Sequence, residues 1–276
     1  MSFRLEQTEG FALNEIKRQF APFETQMDKL PFCRIRFFDR TPDVLARGTG
    51  VAKLGEHTFY TTNRGIMVGN STCFAEIVDN FTGIDVYLPQ DGKVPQRQLS
   101  FLILQAYRYI LCNAGQFQMH GAVVNCQGKA IAFCGIPGAG KSTQAHLWEQ
   151  YRDAKALNLD QPAILFQEDK VLASGSPWSG KEDCYLPDTA PLAAVFFVEQ
   201  APENQVIPMT PGEAFAHLLP NNYLYPITAQ YGAMHQAAAL RVVRNVPFFR
   251  LRCTISPEAV EVAYQAVFKK NKEVFP

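Results

Sequence analysis

The chain has 276 residues, 47% of them hydrophobic, and 26 basic side chains against 26 acidic ones. That is enough apolar material for one sizeable core or two small ones, and zero formal charge gives no basic excess for a nucleic-acid footprint. Seven cysteines, odd in number and never at CxxC spacing, argue against a disulfide framework or a zinc site and for buried thiols in a reducing cytosol.

The opening MSFRLEQTEG lacks an apolar run of signal-peptide length, and no later stretch is apolar enough to cross a bilayer. A soluble, cytoplasmic protein without membrane or nucleic-acid partners is expected. Residues 1–95 read as β-rich. Cys33–Phe38 (CRIRFF) alternates apolar and polar side chains, as a half-buried strand does. Val51–Thr62 reads as a hairpin turning at Gly55-Glu56, and Thr82–Pro89 as a further strand.

From Arg97 to Leu111 the period changes. Leu99, Leu102, Ala106, Tyr107 and Ile110 recur at three and four, which predicts an amphipathic helix that Gly115 stops. MHGAVVNCQGKAIAFCG follows, two apolar runs around Asn125-Cys126-Gln127-Gly128. It predicts a hairpin whose second strand feeds into Gly135. Ser142–Tyr151 is then expected to be a helix, and Lys155–Asp160 a short strand ending in a carboxylate. Ala163–Ser174 reads as a hairpin across Glu168-Asp169, and Leu192–Glu199 as a fully buried central strand. Thr210-Pro211-Gly212-Glu213 spells a capping box. A helix over Tyr231–Val243, a strand over Phe248–Cys253 and a last helix capped at Ser256-Pro257 complete the chain.

The stretch GIPGAGKST matches G-x-x-x-x-G-K-[ST] in full at Gly135, Gly140, Lys141 and Ser142. Glycines let successive backbone N–H groups turn toward phosphate oxygens, and the next helix offers its own unpaired N–H groups and positive dipole end. Lys141 supplies a cation for the outer phosphates, and the Ser142 hydroxyl is placed for Mg²⁺. Gly135, Pro137, Gly138, Ala139, Gly140, Lys141, Ser142 and Thr143 are therefore the candidate residues for ATP or another nucleoside triphosphate.

Phosphoryl transfer also needs charge neutralisation and a group to take the acceptor's proton. Asp160, at a predicted strand end, is the candidate base and a second metal ligand; alternatively it caps the Gln161-Pro162 turn. Glu199 reads either as a Walker-B-like acid or as a strand-terminal surface residue. His120 opens the hairpin before the loop, and a lone histidine there is ordinarily structural. Gly175–Tyr185 (GSPWSGKEDCY), with an exposed-looking Trp178 and the cation Lys181, reads either as a substrate-covering loop or as a plain connection. His57, His146, His217 and His235 have no partners at telling spacing.

MHGAVV, then GIPGAGKST, then NLDQ at the next strand end, resembles the HPr kinase/phosphorylase family and, more distantly, the ATP-dependent phosphoenolpyruvate carboxykinases. The resemblance covers roughly residues 100–255. It implies an α/β P-loop core of that type, with extra strands before the loop and a β-rich N-terminal part: residues 1–95 packed on a kinase-like domain of 96–276. By resemblance His120 matches the family's His-Gly motif, and Asp160 one acid of its Asp-Asp pair. Here that pair is Leu159-Asp160-Gln161, and the Glu-x-Arg-Gly signature is absent. Those departures point to the HPr-kinase-like proteins, some of which phosphorylate small hydroxyl compounds or peptides. The expectation is a Mg²⁺-dependent ATP kinase. Asp160, His120 and Lys141 would be its catalytic set, the acceptor an unidentified hydroxyl of a small molecule or peptide. The alternatives are a nucleotide-binding regulatory module without transfer chemistry and, less, a carboxykinase-like enzyme. HPr kinases assemble, and a sheet edge here offers a route to a homo-oligomer.

Overall fold

The computed structural model describes residues 2–6, 13–24, 32–40, 42, 50–89, 93–182, 184–221, 224–225 and 227–269. It is a mixed α/β fold of two compact units. One is Met1–Gly115 with Leu224–His235, the other Gln116–Tyr223 with Gln236–Pro276.

The first unit is the β-rich one. Its strands are β1 (Ser2–Glu6), β2 (Phe32–Phe38), β3 (Gly50–Leu54), β4 (His57–Thr61), β5 (Ile66–Gly69), β6 (Phe74–Val78) and β7 (Gly83–Tyr87). Among the described residues they form one sheet in the order β1-β2-β7-β6-β5-β4-β3. The period-2 reading of Cys33–Phe38 holds: Cys33, Ile35 and Phe37 are buried while Arg34 and Arg36 are half-buried. The hairpin turns at Gly55-Glu56, with Leu54 opposite His57. Two buried carboxylates, Glu76 and Asp85, are matched by cations. Arg64 reaches them at 3.1 and 2.7 Å, and Arg36 reaches Asp85 at 2.7 Å. Burial without such partners would cost several kcal/mol.

Two helices complete this unit, α1 (Asn14–Phe20) and α2 (Gln96–Asn113). Gly115 follows α2 in the left-handed region at φ +69°. The expected amphipathic stripe is wider than the sequence suggests, because Gln105 and Arg108 are buried along with the leucines. The chain returns to this unit at Leu224. There Tyr225 stacks on Phe59 at 5.7 Å, and Tyr231 meets Tyr109 edge-on at 5.1 Å. The Tyr109 hydroxyl donates to the Tyr225 carbonyl.

The second unit carries β8 (Phe117–Gln118), β9 (Ala122–Cys126), β10 (Lys129–Cys134), β11 (Lys155–Asn158), β12 (Ala163–Gln167), β13 (Lys170–Ser174), β14 (Thr189–Gln200), β15 (Gln205–Pro208) and β16 (Phe248–Cys253). The main path is β11-β9-β10-β14-β13-β12-β8, with β16 pairing β14 and β15. The hairpin before the loop turns on Gln127-Gly128, both at positive φ, with Cys126 opposite Lys129. Strand β14 is central, as its apolar run predicts. Its first residues pair antiparallel with β13, and its later ones pair parallel with β10 on one side and β16 on the other.

Alternate residues of β14 feed two cores. Val195 and Phe197 belong to one, with Val242 and Phe248; Phe196 and Val198 belong to the other, with Trp148 and Leu251. The helices of this unit are α3 (Lys141–Arg152), α4 (Pro211–Leu218) and α6 (Pro257–Phe268); α5 (Ala229–Asn245) begins in the first unit and ends in the second. Trp148 of α3 is fully buried between Phe133 and Tyr264, at 5.9 and 6.2 Å. Truncating such a side chain costs about 3–5 kcal/mol. The capping box at α4 is present: Glu213 N–H donates to Thr210 Oγ1, and Thr210 N–H to Glu213 Oε2. Ser256 holds the N-cap position of α6, but its hydroxyl accepts from Thr254 and Asn204 rather than from the helix. All seven cysteines are free thiols, six of them buried and Cys184 half-buried. Among the described residues no helix is long and apolar enough to cross a membrane.

Candidate functional site

Strand β10 runs into the glycine loop, and α3 leaves it, so the loop stands at the C-terminal end of a parallel pair. Three of its glycines have positive φ: Gly135 (141°), Gly138 (82°) and Gly140 (103°). Gly135 also passes so close to β14 that a Cβ there would lie 3.0 Å from the Val198 carbonyl oxygen. Around Gly138 and Gly140 a Cβ would meet nothing within 4 Å. Gly140 is the N-cap of α3 and carries no capping side chain. The first amides of that helix are therefore left to an external acceptor.

Lys141 folds back over the loop and donates from Nζ to the carbonyls of Gly135 (3.0 Å) and Ile136 (3.2 Å). Burial lowers its pKa, while Cys134 and Asp160 act to raise it. Gln200 ties the loop from the β14 side, donating to the Gly138 carbonyl at 2.9 Å. Ser142 and Thr143 are half-buried in the first turn of α3. Pro137 and Ala139 lie between the glycines, and Ala139 N–H closes a turn on the Ile136 carbonyl at 3.1 Å.

Strand order brings the other candidates to the same edge. β11 and β10 both run antiparallel to β9. The end of β11, the start of β9 and the end of β10 therefore meet on one side of the sheet. His120 Nε2 lies 3.3 Å from Asp160 Oδ1, although forty positions separate them in sequence. Gly121 N–H donates to the Asp160 carbonyl at 3.1 Å. A Cβ on Gly121 would lie 2.7 Å from the Phe133 carbonyl oxygen, so this histidine is followed by a residue that must be small. Burial alone would raise the Asp160 carboxyl. Hydrogen bonds from His120 and Gln161 and the charges of His120 and Lys141 outweigh it, and the carboxyl is held below its ordinary value.

The strand expected to end at Asp160 ends two residues earlier, at Asn158. Asp160 sits in a bend that the Asn158 side chain builds. Asn158 Oδ1 accepts from the amides of Asp160 (2.9 Å) and Gln161 (2.6 Å). Its Nδ2 donates to the carbonyls of Ser176 (3.1 Å) and Trp178 (2.9 Å). Asn158 is fully buried and is the residue that sequence reading missed. Its signal was present: an Asn two residues before a turn carboxylate is an Asx-turn former.

The same bonds correct the reading of Gly175–Tyr185. Trp178 is not exposed but buried, because Asn158 and the Ser176 hydroxyl pull residues 175–179 inward. Gly180, Lys181 and Glu182 alone among its described residues up to 182 face solvent. Gly180 touches Asp160, and Lys181 follows it. His146, left without a role from spacing, bridges α3 to this loop: Nδ1 meets Glu149 and Nε2 meets Glu182, each at 2.9 Å.

Glu199 lies on the other flank of the loop, at the end of β14, and pairs with Arg250 at 3.0 Å. Beside it is a cavity of ≈ 520 Å³ bounded by Ile136, Pro137, Phe197, Val198, Glu199 and His217, among others. Among the described residues no three His, Cys, Asp or Glu side chains form a metal-binding group.

A family model described as SynChlorMet cassette protein ScmC matches residues 93–269. No curated protein matches the chain. A solved structure, the Hpr(Ser) kinase/phosphatase from Coxiella burnetii, matches at 10% identity with a TM-score of 0.33. The match covers 54% of this chain and 95% of that one.

Proposed function

We propose that this chain, which belongs to the family of SynChlorMet cassette protein ScmC, is a kinase. It moves the γ-phosphoryl of ATP to a hydroxyl of a small molecule or peptide. The observation that carries the reading is the convergence at one sheet edge of the glycine loop, Lys141, and the His120–Asp160 pair.

The loop fits a triphosphate in shape and charge. Positive φ at three glycines and a helix start without a capping side chain suit an anion. Lys141 would exchange its loop carbonyls for phosphate oxygens. Ser142 and Asp160 offer oxygen donors of the kind Mg²⁺ takes. Magnesium, when bound, would neutralise charge on the β- and γ-oxygens.

The acceptor oxygen attacks the γ-phosphorus, and the new O–P bond forms as the bond to the β,γ-bridging oxygen breaks. ADP leaves with that electron pair. The acceptor's proton goes to Asp160. A carboxylate held below its ordinary value is a weak base, so it orients the hydroxyl first and takes the proton late, as a loose transition state permits. His120 approaches Asp160 Oδ1, and the Gln161 side-chain amide donates to Oδ2 at 3.2 Å.

A second reading is a nucleotide-binding module that does not transfer phosphate. It is favoured by the single acid at 160, flanked by Leu159 and Gln161. Magnesium-dependent ADP release, measured alone and with hydroxyl metabolites and seryl peptides, separates the two. Release that needs both Lys141 and an acceptor supports the kinase. Tight nucleotide binding without turnover under all acceptors supports the module.

A further inference from the structure

The cavity beside the loop is absorbed neither by the phosphate-binding loop nor by the transfer chemistry. It lies where β14 ends, one strand beyond β10, whereas Asp160 follows β11 and His120 precedes β9, on the opposite side of β10. Its walls are mostly apolar: Ile136 and Pro137 from the loop, Phe197 and Val198 from β14. Three polar residues line it, Glu199, Gln200 and His217. The Gln200 amide is already committed to Gly138, and Glu199 to Arg250 on one oxygen.

We propose that this cavity takes the heteroaromatic base of the nucleotide whose phosphates lie on the glycine loop. This rests on the phosphate-loop reading and adds where the rest of the molecule goes. A nucleoside triphosphate is linear in function, with its reactive phosphoryl at one end and its base at the other. Under the phosphate-loop reading the reactive end lies with the His120–Asp160 pair, which the strand order puts on the β9–β11 flank. The base then falls on the β14 flank. The cavity volume, ≈ 520 Å³, is within the range of small-molecule sites, and an apolar lining with a few polar groups suits a flat ring.

His217 supplies the wall that can stack. Its ring lies 5.2 Å from that of Phe197, and it sits in the last turn of α4. That helix is fixed at its start by the Thr210–Glu213 box and at its end by Asn221, whose amide donates to the His217 carbonyl at 2.7 Å. The Glu199 carboxylate accepts hydrogen bonds only, so it favours a base that presents an amino or ring N–H edge.

The test compares ATP with inorganic tripolyphosphate, which has the phosphates and no base, by calorimetric titration of the full chain with Mg²⁺. Wild type is expected to bind ATP more tightly than tripolyphosphate. His217→Ala should weaken ATP about 10-fold, the scale of one lost aromatic contact, and leave tripolyphosphate within about 2-fold. His217→Phe should restore ATP. His217 is exposed, so both variants are expected to fold. The proposal is overturned if His217→Ala leaves ATP affinity unchanged, or weakens both ligands alike. If tripolyphosphate binds in a Lys141-dependent way and ATP gains nothing over it, the base pocket fails while the phosphate loop stands. If neither ligand binds, both fail.

Discussion

Gly180 lies so close to Asp160 that a Cβ on the glycine would sit 2.9 Å from the aspartate Cβ and 3.0 Å from its Oδ2. Its φ of +76° is also one that other residues adopt only under strain. Gly180→Ala should therefore displace the carboxylate and lose about 1–3 kcal/mol of stability. Nucleotide affinity should hold while the transfer rate drops at least about 10-fold. A variant that melts and turns over like wild type would show that the loop does not rest on Asp160.

Asp160→Asn keeps the shape of the side chain and removes the charge. Nucleotide should still bind, and transfer should fall by about 100-fold or more. An unchanged rate sinks the role of Asp160 as base. The pH dependence has a definite sign. The folded carboxyl is depressed, so its contribution to stability is complete above the ordinary carboxylate value of about 4 and is lost as pH falls through the lower folded value. The stability gap between wild type and Asp160→Asn should be flat near neutrality and close only in acid.

Asn158 satisfies two amides and two carbonyls inside the fold. Asn158→Ala leaves them buried without that partner, at about 1–3 kcal/mol for each group left unsatisfied. We expect a loss of at least about 3 kcal/mol in urea unfolding with an unchanged slope. A midpoint equal to wild type would mean that the bend at Asp160 holds itself.

What the sequence reveals and what it hides follow one physical line. The hairpin at Gln127-Gly128, the buried run of β14 and the Thr210–Glu213 box were legible because each is set by neighbours within a few residues. The approach of His120 to Asp160 is visible only once the strand order is known. Trp178 misleads because its surroundings, Ser-Pro-Trp-Ser-Gly, look like a surface loop, yet one asparagine twenty positions earlier draws it inside. The width of the buried surface of α2 is hidden for the same reason: Gln105 and Arg108 look like solvent residues by type. The grouping of α2 with the N-terminal sheet is equally non-local.

His146 joins α3 to the loop that ends on Asp160. The Glu149 bond, helped by Glu182 and opposed by burial, raises its pKa. The bridge is therefore at full strength below the ordinary imidazole value of about 6.5, and it weakens as pH rises through the folded value. Both partners are about half exposed, which keeps the effect under about 1 kcal/mol. Cys184, the half-buried thiol just beyond Glu182, reports it. Glu182→Gln should label faster than wild type by a few-fold at pH 6, and at the same rate at pH 9. Equal rates at both pH values would show that the bridge does not hold the loop.

The chain enters the second unit at Gln116, goes back to the first at Leu224, and leaves it again inside α5 after His235. No single cut therefore separates the two bodies. A fragment starting at residue 116 would keep the segment 224–235, whose tyrosines would have lost Phe59 and Tyr109. Expression of the second unit alone would need that excursion spliced out and α5 restarted. For the same reason a proteolytic nick between the units should leave them travelling together through a sizing column.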